Sequence, residues 1–139
     1  MNLDLSNKRA AVCGSTQGNG KATALELAAL GASVTLIARR KEALEQVLSE
    51  LDNSRGQQHG YLCADFSKKT DLELKIKQLT EKETVHILVN NVGGTPLERP
   101  PQRVERVPDS VWTRTLELNA LAAVRFTRQP VDVIDEVLC

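Results

Sequence analysis

Two hydrophobic periods alternate along the chain. Short runs of consecutive apolar residues, many of them β-branched, predict buried strands, whereas apolar residues three or four positions apart predict amphipathic helices. Strands are predicted at 8–13, 33–38, 61–64 and 85–90. Helices are predicted at 18–30, 41–51 and 71–82, and from about 111 into the region of Arg125. Gly31 follows the first helix directly, where a glycine typically ends a helix.

This alternation predicts an α/β fold in which helices cover both faces of a parallel sheet. Right-handed crossovers leave few topologies, and we expect a Rossmann-like doubly wound sheet of about four strands in the order 3-2-1-4. The domain would occupy 1–128, with 129–139 as a separate tail because Pro130 ends the preceding helix. A fourth strand without an outer neighbour would present unpaired backbone groups, so we also expect self-association.

Length, charge and hydropathy exclude several classes of protein. The 139 residues suffice for one domain, and 18 basic residues balance 18 acidic ones. That balance argues against a nucleic-acid-binding protein. No apolar run approaches the roughly 18 residues of a membrane span, and the first residues lack the layout of a signal peptide, so we expect a cytoplasmic protein that does not bind membranes.

The cysteines and histidines do not indicate a metal site. Cys13, Cys63 and Cys139 are too few and too scattered for a zinc motif, and neither histidine lies near them in a ligand-like spacing. Two of the cysteines fall in predicted strands that would lie about 10 Å apart, which is too far for a disulfide. We therefore expect free thiols and no metal.

A glycine-rich turn joins the first strand to the first helix. It contains Gly14, Gly18 and Gly20, with Ser15, Thr16, Gln17 and Asn19 between them. Glycines let backbone amides approach a pyrophosphate, and the helix N-terminus that follows favours negative charge. The alternative interpretation is a tight turn that packs the helix on the strand.

The spacing Gly-x-x-x-Gly-x-Gly resembles that of the short-chain dehydrogenase/reductase family, with Cys13 in place of the usual threonine and Asn19 where isoleucine is common. Further motifs resemble the same family in the same order: Asp65 after the third strand, the segment Asn90-Asn91-Val92-Gly93 after the fourth, and Asn119 in the last helix. The resemblance extends from about Leu5 to Arg128. Each polar residue also has an ordinary interpretation as a turn former or an exposed helix residue.

The resemblance implies an oxidoreductase that transfers hydride between a nicotinamide cofactor and a small carbonyl or alcohol. It assigns the glycine turn, Asp65, Phe66 and the segment Asn91, Val92 and Gly93 to cofactor binding. It assigns Asn119 a supporting place in the catalytic set.

The residues after the second strand indicate which cofactor is bound. An acidic residue there would bond the 2′-hydroxyl of NAD, but the chain has Arg39 and Arg40. A guanidinium presents a planar set of donors suited to phosphate, so we predict NADP(H), with Arg39 the first choice and Arg40 the second. Ser15 and Thr16 would add hydroxyl contacts. The alternative is a solvated pair of arginines at the start of a helix.

The family's proton-transfer residues, a serine and a Tyr-x-x-x-Lys pair, do not occur in the expected pattern. The single tyrosine, Tyr61, lies in a predicted strand and is followed four residues later by Asp65. Family chains run to about 250 residues, and we interpret this chain as the cofactor-binding half, truncated before those residues. The alternatives are a non-catalytic NADP(H)-binding module and an interaction fragment.

Overall fold

The computed structural model describes residues 3–94, 103–128 and 134–138. Residues 95–102, between the fourth strand and the last predicted helix, fall outside that range, as do 129–133 and 139 of the predicted tail. The strands are β1 (Arg9–Cys13), β2 (Ser33–Ala38), β3 (Gly60–Cys63), β4 (Val85–Val89) and β5 (Ile134–Leu138). The helices are α1 (Gly18–Ala29), α2 (Lys41–Glu50), α3 (Lys69–Lys82), α4 (Asp109–Leu116) and α5 (Ala122–Thr127), with a short 3₁₀ turn at Val104–Arg106 and a π turn at Glu117–Leu121.

All strand pairs are parallel, and the sheet order is β3-β2-β1-β4-β5. The predicted α/β class and the order 3-2-1-4 are confirmed. Because the strands are parallel, the carboxyl ends of β1 to β4 meet at one edge of the sheet. Ligands bind at such an edge in doubly wound folds, at the point where the strand order reverses.

The fifth strand corrects the predicted number of strands. Val85 pairs with Ile134 and Val89 with Leu138, so β5 occupies the side of β4 that was expected to be open. The α4–α5 segment supplies the long crossover that a parallel pair requires. The premise of the predicted self-association, an unpaired β4 edge, therefore does not hold.

Two apolar cores lie on opposite faces of the sheet, and β1 contributes to both through its alternating side chains. Ala10 and Val12 face the core under α1 and α2, whereas Ala11 and Cys13 face the core under α3 and α5. Cys13 and Cys63 are free thiols in β1 and β3, with β2 between them. Burial raises the pKa of the Cys13 thiol far above its usual range, so this side chain is an inert core residue.

The ends of α1 show how glycine sets the helix geometry. Gly31 has φ +100°, and its N–H donates to the Ala28 carbonyl at 2.9 Å while Ala32 N–H donates to Leu27 O at 3.0 Å. This is a Schellman motif, and the predicted role of Gly31 is confirmed. The helix α4 begins at Asp109, two residues before its predicted start, with Pro108 before it and no side-chain cap on its first turn.

The buried residues of α1 are Gly20, Ala24, Leu27 and Ala28. Helical spacing of the apolar residues alone would instead bury Ala22, Leu25, Ala28 and Ala29. The contact between Gly20 and the glycine turn fixes the rotation of the helix, and that contact is invisible in hydropathy.

Within the described part of the chain, no helix is both long enough and apolar enough to cross a bilayer.

Candidate nucleotide site

A cavity of about 550 Å³ opens at the carboxyl edge of the sheet, a volume within the usual range for small-molecule sites. Its walls come from the glycine turn, the end of β2, the segment after β3 and the segment after β4. Most of the predicted cofactor residues line it, together with Ala38: Gly14, Thr16, Gln17, Gly18, Asn19, Arg39, Arg40, Phe66, Asn91, Val92 and Gly93.

Backbone packing makes glycine necessary at two positions of the turn. Gly14 has φ +70°, and a Cβ there would lie 2.7 Å from the Asn91 carbonyl oxygen. A Cβ on Gly20 would collide with the Gly14 carbonyl and would lie 2.5 Å from Asn91 Nδ2. Asn91 Nδ2 donates to the Gly14 carbonyl at 3.3 Å, so this side chain ties the end of β4 to the turn.

The N-terminus of α1 presents backbone N–H donors at the same cavity. The first bond within the helix runs from Lys21 N–H to Gln17 O at 3.3 Å, so the amides of residues 18–20 lie outside the helical ladder. Gln17 does not cap them with its side chain. Free amides and a helix dipole at a glycine cradle fit a pyrophosphate, which supports the nucleotide interpretation.

Arg39 and Arg40 follow β2 and line the cavity from the side away from β4. Both side chains are exposed, and neither makes an ion pair within 4 Å to a described residue. Because neither guanidinium forms an ion pair with a described residue, both are available to bind an anion. The residues present therefore fit a phosphorylated ribose better than a bare 2′-hydroxyl.

Three predicted cofactor residues do not line the cavity. Ser15 is completely buried beneath the turn, and its Oγ has no hydrogen-bond partner among the described residues, so its predicted contact with the ribose phosphate is not supported by this geometry. Gly20 lies behind Gly14 and shapes the turn. Asp65 lies outside the lining, although its neighbour Phe66 belongs to it.

Asp65 instead accepts hydrogen bonds within the turn that follows β3. Its Oδ1 accepts from Ser67 N–H at 3.0 Å and from Ser67 Oγ at 2.7 Å. Partial burial acts to raise the pKa of Asp65, but the Ser67 hydrogen bonds and the positive charges of Lys68 and Arg39 outweigh it and lower the pKa. The carboxylate thus stays ionised and holds the turn that presents Phe66.

Phe66 is held in place by an aromatic residue of α5. Its ring stacks on that of Phe126 in α5, with centroids 6.4 Å apart and planes at 24°. Both rings are almost fully buried, at 5% and 2% exposure. This contact links the cavity wall to α5. The sequence pattern does not predict this contact, because aromatic residues 60 positions apart carry no periodic signal.

Asn119 lies in the π turn between α4 and α5, where it holds the segment after β4. Its Nδ2 donates to the carbonyls of Gly94 and Thr115, both at 2.7 Å, and its Oδ1 accepts from Gly94 N–H at 2.9 Å. A Cβ on Gly93 would lie 3.1 Å from that same Oδ1. The predicted supporting residue therefore acts on the backbone beside Gly93 in this structure.

Tyr61 lies in β3, as predicted, and does not line the cavity. Its hydroxyl donates to Glu45 Oε1 at 3.0 Å. That hydrogen bond is the main cause of a raised pKa for Tyr61, and it outweighs the opposing charge of Lys41. A phenol used in proton transfer needs its pKa moved toward neutrality, so Tyr61 has neither the position nor the electrostatics for that role.

A sequence profile described as short chain dehydrogenase matches residues 8–136. The match covers most of the chain and reaches into the segment beyond Arg128. The chain therefore belongs to the short-chain dehydrogenase family, as its motifs predicted.

Individual relatives agree with this assignment. A very-long-chain 3-oxoacyl-CoA reductase of Anas platyrhynchos is 36% identical over 86% of this chain and 38% of its own length. An uncharacterised oxidoreductase of Bacillus subtilis, YvaG, is 36% identical over 93% of this chain and 47% of its own.

Among solved structures, L-sorbose reductase from Gluconobacter frateurii, complexed with NADPH and L-sorbose, superposes with a TM-score of 0.82 at 27% identity. The match covers 94% of this chain and 49% of that one. The chain thus spans about half, or less, of the length of these relatives.

Proposed function

We propose that this chain binds NADP(H) and is the cofactor-binding half of a reductase that acts on a small carbonyl or alcohol. The observation that carries the proposal is the pairing, in one cavity, of a glycine cradle at a helix N-terminus with two arginines at the end of β2. The cradle suits the pyrophosphate, and the arginines suit the 2′-phosphate.

When bound, the cofactor supplies hydride chemistry. The residues of this chain would hold and orient it: the turn amides would bind the pyrophosphate and Arg39 the ribose phosphate, while Val92 and Gly93 form the cavity wall beyond Asn91. Asn119 fixes that wall through Gly94. The NADPH bound in L-sorbose reductase supports the choice of cofactor class.

The test is a comparison of NADPH and NADH binding by fluorescence titration. We expect tighter binding of NADPH, because a charge-assisted contact to phosphate is worth about 1.5–3 kcal/mol. Arg39→Asp should abolish or reverse the preference, whereas Arg55→Asp, away from the cavity, should leave it unchanged. Equal affinities of the unmodified chain for both cofactors would contradict the proposal.

The second candidate function is a nucleotide-binding module without catalysis. It is favoured by one observation: the single tyrosine of the chain donates to Glu45 outside the cavity. Cofactor binding by the purified chain separates both candidates from an interaction fragment, whereas neither candidate predicts turnover by this chain.

A further inference from the structure

A second cavity, of about 370 Å³, lies between the first turn of α3 and the α4–α5 segment. Its lining consists of Ser67, Lys69, Arg114, Glu117, Leu118 and Arg125. It shares none of these residues with the nucleotide cavity, although Phe66 and Ser67 are neighbours in sequence on the two walls. Neither the proposed cofactor nor its phosphates account for it.

The charges around this cavity do not balance. Three basic side chains face one carboxylate, and that carboxylate is already used, because Glu117 Oε2 lies 2.6 Å from Arg125 Nη2. Lys69 and Arg114 make no ion pair within 4 Å to any residue in the described ranges. Two cations therefore converge on one concave space without a partner in that part of the chain.

The nearby acidic groups are committed elsewhere. Asp65 accepts from Ser67 and lies 4.0 Å from Lys68 Nζ, and Asp71 Oδ2 accepts from Asp65 N–H at 3.4 Å. The first turn of α3 also lacks a side-chain cap, so its amides add a favourable field for an anion. Neither Asp65 nor Asp71 forms an ion pair within 4 Å with Lys69 or Arg114.

We propose that this second cavity binds the phosphate group of a small phosphorylated molecule. Arg114 offers planar donors and Lys69 a mobile ammonium, which together suit a tetrahedral dianion. The paired Glu117 and Arg125 keep one wall fixed, and Leu118 supplies an apolar surface for the remainder of the ligand. The proposal does not depend on the chain binding NADP(H).

The experiment uses inorganic phosphate as the probe and the full 139-residue chain. Because phosphate can also reach the nucleotide cavity, the starting variant is Arg39→Gln. Phosphate is titrated by calorimetry against chloride at matched ionic strength, and amide chemical shifts near Ser67 and Lys69 locate the site. We expect saturable phosphate binding that shifts the amides near Ser67 and Lys69 and that chloride does not reproduce.

Substitutions in the lining of the second cavity then test whether phosphate binds there. Adding Lys69→Gln and Arg114→Gln to the Arg39→Gln chain should weaken phosphate binding at least tenfold. The matched control is Lys77→Gln, which removes an exposed lysine of the same helix paired with Glu81, and it should change nothing. Circular dichroism checks that each variant is folded, and if the combined variant is not, the separate substitutions are used.

Two results would overturn the proposal. One is undetectable binding to the Arg39→Gln chain, which would place all phosphate binding in the nucleotide cavity. The other is unchanged affinity after loss of Lys69 and Arg114. Since either result leaves NADPH binding by the unmodified chain untouched, failure here is distinguishable from failure of the proposed function.

Discussion

The two ends of the nucleotide cavity are built in different ways. At the phosphate end, steric exclusion fixes the backbone: Gly14 and Gly20 pack where no side chain fits, and Arg39 supplies charge. At the other end, the Asn119 side chain holds the backbone after β4 with two hydrogen bonds to Gly94. The proposed phosphate contacts lie at the first end, whereas the described residues of the second end form a positioned wall in which no side chain is suited to donate a proton, so binding and chemistry can be tested separately.

The largest expected effect is on chemistry. We predict little or no reductase turnover by the 139-residue chain, because loss of a positioned acid costs about 10²- to 10⁴-fold and loss of substrate orientation costs more. The measurement is NADPH oxidation over a panel of aldehydes, ketones and quinones. Tyr61→Phe serves as the control and should not change the rate. Robust turnover surviving purification to homogeneity would show that the second end of the cavity contains a substitute acid.

The next effect concerns the steric end. Gly20→Ala should lower stability by about 1–3 kcal/mol and greatly weaken NADPH binding, because the added Cβ displaces the Gly14 backbone. Gly60→Ala is the matched control, since nothing lies within 4 Å of a Cβ there. Urea unfolding and fluorescence titration measure both quantities. Equal behaviour of the two variants would mean that the cradle tolerates a side chain.

Substitution at the end of the cavity that Asn119 holds should reduce NADPH affinity less than substitution at the glycine turn. Asn119→Ala removes three hydrogen bonds, and at about 1 kcal/mol or less for each partly exposed bond we expect a loss of about 1–2 kcal/mol of stability. NADPH affinity should fall less than in Gly20→Ala, because the phosphate contacts remain. Thr113→Ala, which removes one exposed bond to Asp109, is the control. A larger loss of affinity from Asn119→Ala than from Gly20→Ala would reverse the comparison.

The smallest effect is electrostatic and depends on pH. The pKa of Asp65 is lowered in the folded chain, so its carboxylate stabilises the fold above its unfolded pKa of about 3.9, and that contribution disappears as pH falls through the folded value. Asp65→Asn should therefore cost up to about 1 kcal/mol at pH 7, and progressively less below pH 4. Urea unfolding at several pH values tests this, with the exposed Glu73→Gln as control. A pH-independent difference would assign the effect to geometry alone.

Sequence reasoning succeeded where the signal was local. The β-branched run 33–38 gave β2 with its observed bounds, and the positive φ of Gly31 followed from its place after α1. The glycine spacing also predicted the tight turn after β1, because close backbone packing there requires glycine whatever surrounds it.

Sequence reasoning failed where distant residues decide the outcome. The rotation of α1 depends on Gly20 meeting Gly14, and the wall at Phe66 depends on Phe126. β5 was missed because 129–139 was interpreted as a tail that follows Pro130, whereas pairing with β4 places Ile134–Leu138 in the sheet. The burial of Ser15 is likewise set by the packing of the turn rather than by residue type.

The central place of β1 in the sheet also constrains the order in which the chain assembles. One neighbour, β2, follows after about twenty residues, but the other pairs Ala10 with Ile87, far along the sequence. Closing so long a loop costs conformational entropy that is lost before the contact forms. During synthesis, β1 to β3 therefore emerge while the edge of β1 that pairs with β4 is still unpaired. The β1–β4 pairing can form only after β4 has left the ribosome.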